Sequence, residues 1–306
     1  MNLTLSKSRF FGRIYALSIG IILLILSGYF FFDILTSHSG SDFSSNMKSV
    51  GDSDRTARWS GSNTPDSIYG YLVNLHFYYW LGVLSSFFED KVALLRGITL
   101  FITFMLIYPT LFTASQLRNK IPLFAILFVL FMHPRFLDLV ISNIRSASAL
   151  VFFFYALRVK MPTFKYLLMG IAATFHLAVL APIFLHLLHL FWRRLPKRFS
   201  QSNLLVLVPF MAPGALIMSA KILLPGRGGG SWEGGLLYTS ALFILAAYTF
   251  FIGKSKINNE FVFISLGLIS LVIWGSLLGF PTMRFFSFFF PFFAVMILLY
   301  DRKPQV

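Results

Sequence analysis

The chain has no cysteine among its 306 residues, which excludes a disulfide framework and any metal or cluster held by thiolates. Charge is scarce as well: Asp, Glu, Lys and Arg make up 12% of the residues, and only 11 of them are acidic. Nothing polar longer than the segment 36–66 separates the apolar runs, so a soluble catalytic domain is not expected. What fills the chain instead is 57% hydrophobic residues, with 38 phenylalanines and a mean hydropathy of +0.76. Those values lie far outside soluble globular domains. They predict an all-α polytopic membrane protein, one membrane domain over 1–306.

The formal charge of +15 would suggest nucleic acid in a soluble chain. Here the basic residues sit in short loops, where the positive-inside bias accounts for most of them, and no nucleic acid partner is expected. Lys7, Arg9 and Arg13 precede an apolar run that resembles a signal peptide. Its core is too long and no A-x-A site follows, so a retained first helix is expected.

Apolar runs near the ~20 residues needed for a helical crossing fall at 14–35, 92–114, 121–133, 137–158, 203–224, 236–252, 261–280 and 285–300, giving about eight full transmembrane helices. Residues 67–88, with Asn74, His76, four tyrosines and Trp80, read as an aromatic interfacial helix on the outer surface. Residues 164–191 have basic clusters on both sides and are too short for two crossings, which predicts a re-entrant hairpin with His176 at its apex. With that arrangement both termini are cytoplasmic and most Lys and Arg fall inside.

The remaining polar residues then gather on the outer side: Asp42, Asp52, Asp54, Asp66, Arg135, Asp138, Asn143, Arg145, Arg227, Glu233 and Arg284. Polar groups at membrane depth are costly and face a cavity or a partner. Their convergence predicts a single extracytoplasmic pocket.

Asn143 and Arg145 open N-I-R-S-A-S-A, where Ser146, Ala147, Ser148 and Ala149 allow a neighbouring helix close approach, which favours an inward arginine, with Asp138 or a helix N-terminus nearby to fix it. The competing reading is an anchor that snorkels to the headgroups. Arg284, in G-F-P-T-M-R-F-F-S-F-F-F-P, sits among phenylalanines with the same two readings. Two arginines on one outer face could clamp a diphosphate through their guanidinium forks. His176 is the best general-base candidate on that face, against the simpler reading of a packing histidine.

His186 and His189 have a metal-like spacing but no Cys or acidic partner close in sequence, so no metal site is expected. The outer loop 225–235, R-G-G-G-S-W-E-G-G within it, lacks the ending of a P-loop. It is either a flexible connector or a mobile loop in which Trp232 stacks on a sugar and Glu233 accepts hydroxyl hydrogen bonds, with Arg227 beside them. The external loop 36–66 is polar throughout, and Asp42 lies nearest the first helix.

The order of these motifs resembles the EpsG family of Wzy-like bacterial polysaccharide polymerases. The matching stretches are S-G-S-D at 39–42, P-D-S-I-Y-G-Y-L-V-N-L at 65–75, N-I-R at 143–145 and F-H at 175–176. The glycine-rich outer loop at 228–235 and M-R-F-F-S-F-F at 283–289 complete the set. The chain departs from the family pattern at Ser146, where members carry Gln, at Leu177 and Ala178, where they carry a polar pair, and at Phe43, which has no hydroxyl.

The resemblance implies a fold similar to C-type glycosyltransferases and O-antigen ligases, and polymerisation of lipid-linked oligosaccharides at the periplasmic face of the bacterial inner membrane. Donor and acceptor would both be undecaprenyl-diphosphate-linked oligosaccharides, used without metal or other cofactor. Chain-length regulator and flippase proteins are the implied partners within the bilayer. Arg145 and Arg284 would hold the diphosphate, and His176 would serve as base with Asp42 in reserve. Asn143, Ser146, Arg135, Asp138, Arg227, Trp232 and Glu233 would bind substrate. An O-antigen ligase would use the same residues with another acceptor. A lipid-linked oligosaccharide flippase or transporter would show inverted repeats, which the sequence lacks.

Overall fold

The computed structural model describes residues 20–26, 83–114, 131–141, 143–194, 207–223, 244–251, 257–279 and 283–301, with isolated positions at 14, 18, 77, 81, 128 and 130. Among the described residues the chain is all-helical, with no strand. It clusters into two compact units, the first 1–116 with 124–180 and the second 117–123 with 181–306.

In the first unit, α1 (Lys91–Ala114) starts where Asp90 Oδ1 accepts from Val92 N at 2.9 Å and Ala93 N at 3.0 Å. That side chain satisfies donors which a helix N-terminus otherwise leaves unmade. Leu95, Thr99, Ile102, Thr103, Leu106, Ile107 and Thr110 are buried along α1, while Phe101 and Tyr108 are exposed. The three-four spacing of the buried set is that of one inward helix face.

The expected uninterrupted span 137–158 is in two pieces. α2 (Pro134–Ile141) and α3 (Ile144–Ala156) meet at a bend of 97°. Pro134 suits the first position of α2, where its missing N–H costs nothing. At the break, Asn143 has φ −101° and ψ 48°. Its backbone N–H reaches Asp138 O at 3.0 Å, and its Nδ2 donates to Asp138 Oδ2 at 3.4 Å. Ser and Asn compete with the helical ladder through such local bonds, and here that competition outweighs the surrounding apolar run.

α3 packs against α4 (Pro162–Phe175) and α1. Ser146, Ala147 and Ala149 are buried on α3, where small side chains permit close helix contact. Tyr155 Oη donates to Met105 Sδ at 3.4 Å, and three residues further along each helix Tyr108 lies within electrostatic reach of Arg158. The common step means that α1 and α3 run in the same direction. α4 ends at Phe175, whose ring contacts Phe77 and Phe152 at centroid distances of 6.1 and 5.1 Å. His176 then turns extended, φ −160° and ψ 131°, and a short 3-10 turn follows over Leu177–Val179.

The second unit contains α5 (Leu180–Arg194, from Ala181 onward), α6 (Val208–Leu223), α7 (Glu260–Leu278) and α8 (Met283–Asp301). α7 is 19 residues long and apolar enough to cross a membrane; α2 with α3 is a second such element if the bent pair counts as one span. Asn259 Oδ1 caps α7 by accepting from Phe261 N at 3.0 Å. Gly279 ends it in the left-handed conformation, φ 66°, which glycine adopts without steric cost.

α6 docks on α7 through one carbonyl. Phe210 O accepts from Trp274 Nε1 at 2.9 Å and from Ser270 Oγ. The Trp274 ring lies over Gly214, where an added Cβ would come within 2.8 Å of Cδ2. On α5, Leu185 fills the notch at Gly267 in the same way, and a Cβ there would collide with the leucine side chain. Gly267→Val is therefore expected to cost about 1–3 kcal/mol through overpacking. Gly97→Ala, where nothing lies within 4 Å of the new methyl, is expected to leave stability equal or slightly raised. Thermal melting of both variants in detergent checks this, and equal melting temperatures for the two would refute the notch.

In α8, Pro291 lies inside the helix and removes one ladder hydrogen bond. Phe286 and Phe290 have centroids 5.0 Å apart, and Phe289 and Phe293 are stacked at 4.7 Å.

Shorter apolar helical stretches at 92–108, 208–219 and 285–299 fall within the expected spans 92–114, 203–224 and 285–300. The expected spans 14–35, 121–133 and 236–252, the interfacial helix 67–88 and the loops 36–66 and 225–235 lie largely or wholly outside the described residues.

Candidate functional site

In the first unit the sequence candidates gather around the start of α3. Asn143 occupies the N-cap position, but its side chain makes no cap hydrogen bond, because it is turned to Asp138. Asp138 thus orients Asn143. Arg145 follows in the first turn of α3 and is half-buried. A cation at a helix N-terminus works against the helix dipole, so the guanidinium and the dipole together favour an anion there. Ser146 is buried, and Ser148 Oγ donates to Ile144 O at 2.8 Å. Arg135 is exposed on α2, and its backbone N–H donates to His133 Nδ1 at 3.2 Å.

His176 is half-buried at the break after α4. Its Nδ1 accepts from Ala178 N at 3.1 Å, so the neutral ring carries its proton on Nε2. A ring in that state donates rather than accepts at Nε2. The base role expected from the sequence would require Nδ1 to release Ala178.

Comparison of the chain with protein-family models, with curated proteins and with solved structures finds no match. The chemistry of the site therefore rests on its own residues.

In the second unit Arg284 lies in the first turn of α8, and its side chain is outside the described residues. Asp42, Arg227, Trp232 and Glu233 are also outside them.

Two groups of polar residues lie outside the site expected from the sequence. On α1, Arg96 stands one turn from the buried Thr99. In the second unit, His186 Nδ1 lies against the Glu260 carboxylate, and His189 Nε2 donates to Asn258 O at 3.0 Å. His186 Nε2, His189 Nδ1 and Trp192 Nε1 are buried with no hydrogen-bond partner. The rings of His189 and Trp192 both pack on Phe263, at 5.2 and 5.9 Å. The acidic partner that His186 lacked in local sequence comes from another helix, a contact that only the fold creates. Among the described residues no group of three or more His, Asp or Glu side chains is placed to hold a metal ion.

Proposed function

We propose that the protein is a multi-pass inner-membrane glycosyltransferase that polymerises oligosaccharide units linked to undecaprenyl diphosphate. In this reading about eight spans carry a site facing the periplasm, with both termini in the cytoplasm. The observation that supports it most is the break at Asn143, which starts α3 in the protein interior with Arg145 in its first turn. A guanidinium and a helix N-terminus together suit a diphosphate group.

The reaction follows from those parts. An acceptor hydroxyl oxygen attacks the anomeric carbon of the donor chain. The bond from that carbon to the diphosphate oxygen breaks, and its electron pair leaves with the lipid diphosphate. Arg145 stabilises the negative charge that develops on the leaving group. The hydroxyl proton passes to a carboxylate, for which Asp42 is the candidate. His176 donates its Nε2–H to a phosphate or sugar oxygen.

The test is turnover by the purified protein. Wild type supplied with a polyprenyl-diphosphate-linked repeat unit, with EDTA present, is expected to give a ladder of products on a gel. A protein that folds, binds the lipid-linked unit and yields no ladder with any repeat unit tried would overturn the reading.

A further inference from the structure

α5 has two faces, and its contacts with α7 fix which is which. Leu185 fills the notch at Gly267, His186 lies against Glu260, and the rings of His189 and Trp192 pack on Phe263. All four side chains are buried, so the inner face of the helix is settled by its partners. The opposite face carries Leu187, Leu190, Phe191 and Arg194, at the i, i+3, i+4 and i+7 spacing of a single helical stripe. Leu187 is 48% exposed and Phe191 64% exposed, and Arg194 is exposed where the stripe ends. Arg193 is exposed beside it.

An exposed apolar stripe suits any acyl chain. What singles this one out is the charge at its end. The segment Trp192–Arg198 holds four basic residues, Arg193, Arg194, Lys197 and Arg198, and no acidic one, and no other stretch of seven residues in the chain holds as many. The sparser basic loops elsewhere are all that the positive-inside bias requires. A cluster of four or more cations directly beyond an apolar helix goes further, because it draws anionic headgroups to itself.

We infer that the outer face of α5 seats one anionic phospholipid of the cytoplasmic leaflet, with an acyl chain on Leu187 and Phe191 and the phosphate on Arg194 and Arg193. This rests on the reading of the chain as a multi-pass membrane protein with the end of α5 at the cytoplasmic surface, and on none of the proposed chemistry. An arginine fork takes two phosphate oxygens, while its methylene stem lies along the apolar stripe. Lys197 and Arg198 add to the attraction of the same surface for negative charge.

Lipid binding is the readout. Full-length protein in dodecylmaltoside is titrated with dioleoyl phosphatidylglycerol or with dioleoyl phosphatidylcholine, and bound lipid is counted by native mass spectrometry. Wild type is expected to hold phosphatidylglycerol about tenfold more tightly than phosphatidylcholine, a preference that shrinks at high salt. Arg194→Gln is expected to weaken phosphatidylglycerol binding about fivefold, and Arg193→Gln with Arg194→Gln about tenfold to thirtyfold. Both should leave phosphatidylcholine binding unchanged. Phe191→Ala should weaken the two lipids alike, since it removes contact area and no charge. Arg302→Gln with Lys303→Gln removes the same charge from the C-terminal segment and is expected to change neither affinity.

Equal affinity of wild type for the two lipids, or an equal loss in the C-terminal control, would overturn the site. A wild-type dimer that buries this face and takes up neither lipid would overturn it as well. Should the arginine variants fail to fold, Lys197→Gln with Arg198→Gln carries the test, and an unchanged preference there overturns the assignment. A preference that follows these expectations in a protein that makes no ladder would count against the polymerase reading alone. A ladder from a protein without the preference would count against this seat alone.

Discussion

Arg145→Ala is expected to lower the rate of ladder formation about a hundredfold to a thousandfold, the usual cost of removing one preorganised donor from developing negative charge. The arginine sits half-buried in the first turn of α3, where desolvation strengthens its attraction for an anion. Its removal leaves the backbone dipole in place, so a residual rate is expected. Arg145→Lys keeps the charge and loses the planar fork, and an intermediate rate follows. Melting temperatures of the variants should stay close to wild type, because the side chain is not part of the apolar core. Initial rates from a gel time course, beside thermal melting, check the expectation. An alanine variant within about threefold of wild type, less than 1 kcal/mol of barrier, would make Arg145 an interfacial anchor.

Glu260→Ala is expected to destabilise the second unit by about 1–3 kcal/mol, the scale for leaving a buried polar group without its partner. The Glu260 side chain is 20% exposed and that of His186 is 0% exposed, so water replaces the lost carboxylate poorly. Glu260 also opens α7, where a negative charge suits the helix dipole. Glu260→Gln retains an acceptor and should lose much less. The double variant Glu260→Leu with His186→Leu removes both polar groups together, and its stability should return toward wild type. Melting of wild type, Glu260→Leu, His186→Leu and the double variant in one detergent gives the coupling energy directly. A Glu260→Ala protein that melts with the wild type would show that the pair contributes nothing.

The helical class and most helix positions were legible because long apolar runs specify helices whatever their neighbours. The break at Asn143 was not, since Ser142 and Asn143 are two weak helix formers inside a run whose average hydropathy hides them. What decides the break is the bond to Asp138, a local contact that averaging over a window discards. The turn at His176 was partly legible, as the end of α4 falls where the hairpin apex was expected. Its tautomer was not, because that depends on which backbone N–H the ring meets. Arg96 was passed over for a different reason: one arginine near the end of a span is indistinguishable in sequence from a snorkelling residue. The His186 and Glu260 pair, and the notches at Gly214 and Gly267, belong to contacts between distant helices, which no local pattern encodes.

Pro291 gives the last helix a weak point in its backbone, and the ring pair Phe289–Phe293 lies across it like a splint. Hinging at that proline would have to part the pair, at about 0.5–1.5 kcal/mol. α8 is therefore a jointed strut braced by its own side chains. Leucine at Phe289 or Phe293 would release the joint while leaving the hydropathy of the helix almost unchanged.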